Sequence, residues 1–160
     1  MKCFALAGVT ALRKGRLIED LIGALRIDGF TVSAVKRAPD GFDIDQPGKW
    51  SHLRREAGCG EVMLVGDRRF ALLHEFGHAP APPLDQLLAR LAPVDIVLLE
   101  GFRDARVPTI EVLLGDGDRP PRWPEDPTIV ALVSDRRIAS ALPQFAPDDA
   151  AGLAAFIGSS

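Results

Sequence analysis

The chain has 160 residues, of which 47% are hydrophobic and 26% charged, and its formal net charge is −3. This composition predicts one globular domain over residues 1–160, and the slight negative charge argues against a protein that coats nucleic acid or a membrane surface. No stretch approaches the roughly 20 apolar residues of a membrane span, and the first residues lack the apolar core of a secretory signal, so we expect a cytoplasmic protein. Cys3 and Cys59 match no metal or redox spacing and are predicted to be reduced thiols.

The N-terminal segment is predicted to form a strand, a helix and a second strand. The apolar run Lys2–Gly8 ends in glycine, which is typical of a buried strand. Leucine and isoleucine then recur at helical spacing from Leu17 to Leu25, which predicts an amphipathic helix that ends at Gly29. Residues 30–36 are rich in β-branched side chains, and they complete a βαβ unit as its second strand.

The connection between the first strand and the helix partly matches the phosphate-binding pattern G-x-x-x-x-G-K-[ST]. Gly8 and Lys14 occupy the positions of the first glycine and the lysine. Arg13 stands at the second glycine, and Gly15 stands at the hydroxyl that binds magnesium. Thr10 supplies the one hydroxyl of this loop, at a different position. The nucleotide-binding residues predicted in this segment are Gly8, Thr10, Arg13, Lys14, Gly15 and Arg16.

Two interpretations of this connection stay open. It is a degenerate nucleotide site, or it is a strand–helix connection that contains a lysine by chance. If position 13 requires a glycine-like dihedral angle, Arg13 is strained there by about 1–2 kcal/mol. In a nucleotide site, Arg13 would either block the phosphate or replace the charge of the lost magnesium ion.

The segment after the second strand is rich in proline, glycine and aspartate, so it is predicted to be a surface loop. Asp40, Asp43 and Asp45 form an acidic cluster that, together with water, could hold a divalent cation. The alternative is a solvated acidic turn. Lys36 lies beside this cluster and is predicted to contact anionic groups of a bound nucleotide.

A helix over residues 50–58 and two strands joined by a tight turn come next. The second of these strands runs into "HEFGH", which matches the zinc-protease motif H-E-x-x-H. That chemistry needs His74 and His78 on one face of a helix, with Glu75 as the general base. The sequence instead predicts a strand followed by a glycine and several prolines. We interpret the motif as two histidines on a surface turn and expect no zinc, with a zinc hydrolase as the remote alternative.

A leucine-rich helix that runs from Leu84 to Leu91 leads to an apolar run at residues 94–102, which is predicted to be a buried strand. The run ends in Glu100 and Gly101, and an acid at the end of such a strand is the Walker-B arrangement, in which it binds magnesium beside the phosphates. The alternative is a solvated glutamate at the end of a strand. The magnesium ligands predicted from the whole chain are Asp43, Asp45 and Glu100.

Two further strands, at residues 109–115 and 128–135, and a helix at residues 148–158 complete the chain. Asp135 ends the last predicted strand, where it would accept hydrogen bonds from guanine or, alternatively, cap the backbone that follows. Because strands alternate with helices, we predict a three-layer α/β domain with a mostly parallel central sheet.

In this order, the segments resemble the molybdopterin-guanine dinucleotide biosynthesis protein B (MobB) family. The resemblance covers residues 2–135 and is most specific in "FDIDQPGK" with "SHLRREAG", and in "VDIVLLEGF" with "VPTIEV". It implies a P-loop NTPase-like domain. The positions that match the family's functional segments are Gly8, Lys14, Lys36, Asp43, Asp45, Glu100, Gly101 and Glu111.

The resemblance implies a GTP-binding accessory protein that usually dimerises and has at most weak GTPase activity. Its partner would be the guanylyltransferase MobA, which attaches GMP to molybdopterin. This sequence departs from the family at Arg13 and Gly15, and Trp50, Arg103 and Thr109 replace an acid and two lysines. The departures fall on positions for phosphate and metal, whereas the core strands are kept.

The leading hypothesis is therefore an accessory protein in molybdenum cofactor biosynthesis that binds GTP weakly and hydrolyses it slowly or not at all. Mg2+ would be held only by Glu100, the aspartates and water. The expected partners are MobA or a molybdoenzyme and a second copy of the chain, with no nucleic acid and no membrane. The alternative is an interaction module that docks such a partner without any nucleotide.

Overall fold

The structure is a computed structural model, and the residues it describes are 1–8, 11–38, 41–115 and 120–160. At residues 11–13 it describes the backbone alone. The chain divides into two compact units, one made of Met1–Arg37 with Leu91–Ser160 and the other of Ala38–Arg90. The elements in chain order are β1 (Lys2–Gly8), α1 (Ala11–Ile27), β2 (Val32–Lys36), α2 (Trp50–Glu56), β3 (Glu61–Val65), β4 (Phe70–His74), α3 (Leu84–Leu88), β5 (Ile96–Glu100), β6 (Thr109–Leu113), β7 (Ile129–Ser134), β8 (Gln144–Phe145) and α4 (Ala150–Ser159).

The first unit is built on a six-stranded sheet in the order β2-β5-β1-β6-β7-β8, and each neighbouring pair runs parallel. Strand β1 lies near the centre, between β5 and β6. The register places Leu6 of β1 and Lys36 of β2 beside Glu100 of β5. The carboxyl ends of these three strands therefore meet at one edge of the sheet, which is where open α/β sheets bind their ligands.

Helices α1 and α4 pack against each other and against one face of this sheet. The apolar residues of α1 recur three and four positions apart, which brings Leu21 and Leu25 onto one helix face. Both are fully buried, as is Ile157 of α4. The strand residues that pack against them alternate, as Phe4 and Leu6 do on β1. The core of the first unit is therefore the layer between the two helices and the sheet.

The second unit contains an antiparallel hairpin of β3 and β4, with Glu61 opposite His74 and Val65 opposite Phe70. Helix α2 contacts β3, whose residue Val62 is buried, whereas α3 has only five residues. The other face of the hairpin leaves large apolar side chains exposed. These side chains are Met63, Val65, Phe70 and Leu72.

The predicted α/β class with a mostly parallel sheet is confirmed. Three elements differ from their predictions. Helix α1 begins at Ala11, six residues before the apolar periodicity, and α3 ends at Leu88 rather than reaching Leu91. Strand β8 was not predicted, because two residues carry no periodic pattern. Within the described ranges, no helix combines the length and the apolar character that crossing a membrane requires.

Candidate functional site

A cleft of about 330 Å³ opens in the first unit, beside β1 and β6 and directly after the end of β5. It is lined by residues 5–8 at the end of β1, by residues 101–104, and by Pro120 and Arg122. The charged side chains that line it are Lys14, Arg103, Asp104, Glu111 and Arg122. The cleft therefore joins the predicted phosphate loop to the end of the Walker-B-like strand.

Lys14 projects from the first turns of α1 back towards the end of β1. Its side chain is buried, with the residue only 8% exposed, although it carries a charge. The Nζ atom donates a hydrogen bond to the carbonyl oxygen of Gly8 at 3.4 Å and lies 3.3 Å from Oε1 of Glu100. A buried ammonium group needs such partners, because its desolvation is otherwise costly. Lys14 is thus held at the edge of the cleft, where an anion can contact it.

Glu100 ends β5 and has a lysine on each side. Its Oε1 faces Lys14, and its Oε2 lies 3.7 Å from Nζ of Lys36 at the end of β2. The arrangement follows from the register, since β5 lies between β1 and β2. The structure therefore brings Gly8, Lys14, Lys36 and Glu100 together, four residues that the sequence analysis named in three separate segments.

The turn after Glu100 is closed by a glycine that cannot be replaced without strain. Gly101 has a φ of +83°, and a Cβ atom there would lie 2.6 Å from the carbonyl oxygen of Arg37. Arg37 in turn donates its backbone N–H to the carbonyl oxygen of Glu100 at 2.8 Å. Its guanidinium lies 4.6 Å from the ring centroid of Phe102, a cation–π distance. The end of β5 is therefore fixed to the end of β2.

Glu111 of β6 is a buried acid that supports a wall of the cleft. Its Oε1 accepts a hydrogen bond from the backbone N–H of Arg122 at 2.8 Å, and its Oε2 accepts one from that of Trp123 at 3.0 Å. Both carboxylate oxygens are thereby occupied. Arg122 lines the cleft as a consequence, and sequence reasoning missed it because the proline-rich segment around it carries no pattern.

The first turn of α1 replaces the long loop that a complete phosphate-binding pattern would form. Because the helix begins at Ala11, Arg13, Lys14 and Gly15 have helical backbone. No described residue other than glycine has a positive φ, so the strain considered for Arg13 is not present. The first four N–H groups of a helix lack partners inside it and attract anions. Thr10 lies outside the described residues, as does the side chain of Arg13.

Asp135 directly follows β7, two strands away from β1. Its Oδ2 accepts a hydrogen bond from the backbone N–H of Gly115 at 2.8 Å. This contact ties the end of β7 to the segment that follows β6. Recognition of guanine by Asp135 and capping of the backbone that follows it both stay predictions.

The acidic loop of the second unit is organised around an arginine. Nε of Arg55 lies 3.1 Å from Oδ2 of Asp45, and the same guanidinium lies 3.6 Å from Oδ1 of Asp43 and 2.7 Å from Oε1 of Glu75. The hydroxyl of Ser51 donates to Asp45 at 2.6 Å. This hydrogen bond, together with Arg55, holds the pKa of Asp45 below its usual value. Asp43 and Asp45 thus have partners within this unit.

The "HEFGH" segment forms a strand end and a turn, as predicted. His74 is the last residue of β4, and its Nδ1 lies 2.6 Å from Oε1 of Glu61. That hydrogen bond lowers the pKa of Glu61. Glu75 binds Arg55, and Gly77 has a φ of +58°. The two histidines are therefore not aligned on a helix, as H-E-x-x-H zinc chemistry requires.

The donor set of the cleft, together with Glu100 and Gly15 next to its lining residues Gly101 and Lys14, does not suit a magnesium ion. Mg2+ prefers oxygen ligands, and in nucleotide sites these are a hydroxyl, carboxylates, water and phosphates. Gly15 has no hydroxyl, both oxygens of Glu100 face lysines, and both oxygens of Glu111 accept backbone hydrogen bonds. Among the described residues, no three or more His, Cys, Asp or Glu side chains are grouped so as to hold a metal. Asp40 lies outside those residues.

A central parallel strand that is followed by a lysine-bearing helix, next to a strand that ends in an acid, is the architecture of P-loop-like α/β proteins. The chain is of that class. More narrowly, residues 3–135 match the model of the family described as molybdopterin guanine dinucleotide synthesis protein B (MobB), and the chain belongs to this family.

Individual relatives agree with this assignment. The molybdopterin-guanine dinucleotide biosynthesis adapter protein of Escherichia coli (strain K12) is 29% identical over 156 residues, 96% of this chain and 89% of the relative. The protein of the same name from Haemophilus influenzae is 33% identical over 108 residues, 66% of this chain and 59% of the relative. A crystal structure of a molybdopterin-guanine biosynthesis protein B superposes with a TM-score of 0.75, covers 98% of both chains at 24% identity, and supports the fold.

Proposed function

We propose that this protein is an adapter in molybdopterin guanine dinucleotide biosynthesis that binds a guanine nucleotide, or the pyrophosphate of the cofactor, in the cleft of its first unit. Family membership and the names of the two relatives support the pathway. The two units act together as one cytoplasmic domain, and the protein works through a partner. That partner is the guanylyltransferase MobA or a molybdoenzyme.

The single observation that carries the proposal is the buried ammonium group of Lys14 at the edge of the cleft. Lys14 and Lys36 flank the end of β5, and Arg103 lines the cleft beside them. Basic groups in a concave, partly desolvated site attract phosphate more strongly than the same groups on an open surface. Helix α1 begins at Ala11, and the first N–H groups of a helix, which lack partners inside it, attract anions.

Hydrolysis of a bound nucleotide is very slow or absent in this proposal. Rapid phosphoryl transfer depends on a metal ion and on groups that hold it against the phosphates. Gly15 supplies no hydroxyl, and Glu100 is paired with two lysines. The site therefore suits binding better than catalysis.

Asp135 supplies the preference for guanine in this proposal, because a carboxylate accepts hydrogen bonds from N1 and N2 of that base. Its side chain lies at the carboxyl end of β7, on the ligand-binding edge of the sheet. Replacing Asp135 with asparagine keeps an acceptor for Gly115 but changes the charge that faces the base. We expect Asp135→Asn to reduce the preference for GTP over ATP, with Arg137→Gln as the control.

A second copy of the chain is the other partner, and the hairpin of the second unit supplies the contact. The exposed apolar side chains on one face of β3 and β4 support this part of the proposal. Contiguous apolar patches of this kind mark protein contacts. The residues of the patch are Met63, Val65, Phe70 and Leu72.

Titration calorimetry with GTP, GDP and pyrophosphate tests the binding proposal. We expect the protein to bind these anions and Lys14→Met to lower the affinity by at least about tenfold, which corresponds to roughly 1.4 kcal/mol. Lys2→Met removes the same charge at the far end of β1, where Nζ of Lys2 donates to the carbonyl of Gly158, and should leave binding unchanged. Arg103→Gln is a second variant in case Lys14→Met fails to fold. Absence of binding by all three anions would contradict the proposal.

The second candidate function is an interaction module that needs no nucleotide. The exposed apolar face of the hairpin favours it, since that surface lies outside the cleft-bearing unit. This candidate predicts that MobA co-purifies equally with the protein and with Lys14→Met. The adapter proposal predicts that GTP strengthens the complex of the wild-type protein and not that of Lys14→Met.

A further inference from the structure

We propose that the cleft binds phosphate groups without a divalent cation, with Lys36 and Lys14 supplying the positive charge that magnesium supplies elsewhere. The inference rests on the proposed function and names the ionic form of its ligand. The ligand is the free anion, GTP or pyrophosphate without bound metal. Two features of the chain carry the argument, namely the pairing of Glu100 and the residue at position 15.

The pairing of Glu100 with two lysines disfavours a doubly charged cation at its carboxylate. Its two carboxylate oxygens lie 3.3 Å from Nζ of Lys14 and 3.7 Å from Nζ of Lys36. A magnesium ion on either oxygen would stand next to two ammonium groups, and like charges at such distances repel strongly in a partly buried site. A phosphate group is instead attracted by the two ammonium groups, since both can donate hydrogen bonds to its oxygens.

The two lysines differ in a way that suits this role. Lys14 has a side chain that is 10% exposed, so its charge is fixed in position, whereas the side chain of Lys36 is 66% exposed. Lys36 can therefore turn from Glu100 to a ligand without leaving a buried charge unpaired. In a magnesium-dependent site, that mobile charge would compete with the metal for the same oxygens.

Packing does not explain why position 15 has a glycine instead of a residue with a hydroxyl group. Gly15 lies inside α1, and a Cβ atom built on it would have no neighbour within 4 Å. Glycine is also among the less favourable residues inside a helix. A serine would therefore fit in this place, and the backbone has no need for glycine there. The chain lacks the magnesium ligand at a position where its fold would accept one.

The remaining acids of the cleft do not replace that ligand. Both oxygens of Glu111 accept backbone hydrogen bonds. Asp104 lines the cleft, but it belongs to no group of three or more potential metal ligands among the described residues. Arg103 lines the same cleft as a further cation, and Arg122 lines it with its guanidinium paired to Asp126.

Calorimetry of GTP and of pyrophosphate, each with excess magnesium and with EDTA at equal ionic strength, tests the inference. We expect the affinity in EDTA to be equal to that in magnesium or higher, because chelation of the ligand by Mg2+ lowers the negative charge that the lysines attract. A loss of affinity of more than about tenfold in EDTA would overturn the inference and leave the proposed function intact. If neither anion binds under either condition, both proposals fail.

Matched variants sharpen the test. Gly15→Ser should acquire a component of binding that depends on magnesium, whereas Gly15→Ala, which adds a Cβ without a hydroxyl, should not. Lys36→Met should weaken binding several-fold in both buffers, and Lys2→Met should weaken it in neither. Thr10→Ala should leave the response to EDTA unchanged. Magnesium-dependent binding by the wild-type protein that is lost in Thr10→Ala would overturn the inference by identifying a metal ligand.

Discussion

In the parallel sheet of the first unit, the apolar residues of the central strands are buried, whereas in the hairpin of the second unit large apolar residues face solvent. Leu98 of β5 is 2% exposed, and Val65 of β3 is 76% exposed. The sheet is covered by α1 and α4, and its open edge offers a cleft for a small anion. In the hairpin, helix α2 contacts β3, and the side chains of the apolar patch are exposed. The first unit thus carries a cleft bordered by charged side chains, and the hairpin of the second unit exposes an apolar face.

The acidic residues of the two units show the same division. Glu100 in the first unit is shared by two lysines at the edge of a cleft, and a ligand can compete for those lysines. Asp45 in the second unit is hydrogen-bonded to Ser51 and paired with Arg55. Asp45 fixes the conformation of a loop. Glu100 instead positions the ammonium groups of Lys14 and Lys36, and in our proposal an anion binds to these groups. Four predictions test how far this comparison holds.

The largest effect is expected for truncation of the core. Leu21→Ala removes a fully buried side chain between α1 and the sheet and should lower the free energy of unfolding by about 2–5 kcal/mol. Leu72→Thr changes an exposed residue of the hairpin and should cost less than about 1 kcal/mol. Urea denaturation measures both. If both variants lose the same free energy of unfolding, Leu72 is buried in solution as completely as Leu21, which would contradict an exposed hairpin face.

The next effect concerns self-association. Val65→Thr combined with Phe70→Ser removes a cross-strand apolar pair and should weaken a homodimer by at least about tenfold, which analytical ultracentrifugation measures. Ile27→Thr is the matched control, because Ile27 is an exposed apolar residue of the first unit. If the double variant dimerises as tightly as the wild-type protein, or if the control weakens the dimer equally, the hairpin face is not the dimer contact.

A smaller effect is expected from acid. Since the pKa of Asp45 is lower in the folded protein than in the unfolded chain, its charged form stabilises the fold above the unfolded pKa. That stabilisation is lost as the pH falls from about 4 through the folded pKa. Asp45→Asn should lower stability at pH 7 and flatten the dependence of stability on pH below 4. Thermal unfolding followed between pH 3 and pH 7 decides this, and an unchanged slope would contradict it.

The smallest effect is expected at position 15. Gly15→Ala should stabilise α1 by about 0.5–1 kcal/mol, because alanine loses less conformational freedom than glycine in a helix and the site has room. Gly29→Ala should destabilise the same unit, since Gly29 has a φ of +90°. Differential scanning calorimetry measures both changes. A destabilised Gly15→Ala would mean that the helix requires glycine at this position.

The central strands and α1 could be predicted from the sequence, because burial imposes a period that the order of residues displays. Strand β1 reads as an apolar run, and α1 repeats leucine at helical spacing. The start of α1 could not be predicted in this way. Residues 11–16 are compatible with a helix but carry no apolar period, and the partial P-loop pattern suggested a longer loop.

The candidate site was only partly predictable for a similar reason. Its residue types stood out, but their pairing depends on the sheet order β2-β5-β1, which joins segments more than 60 residues apart. The same holds for Glu111, whose partners Arg122 and Trp123 lie in a segment without periodicity. Asp45 was interpreted as a possible cation ligand because aspartates cluster in its loop. Its pairing with Arg55 could not be predicted, since Arg55 is ten residues away in the sequence, too far for a local pattern to reveal the pair.

The most direct measurement of the central claim is a crystal structure of the protein soaked with GTP in the absence of divalent cations. We expect phosphate oxygens within hydrogen-bonding distance of Nζ of Lys14, with Lys36 turned from Glu100 to the nucleotide. A nucleotide bound away from the cleft, or a phosphate that contacts neither lysine, would contradict it.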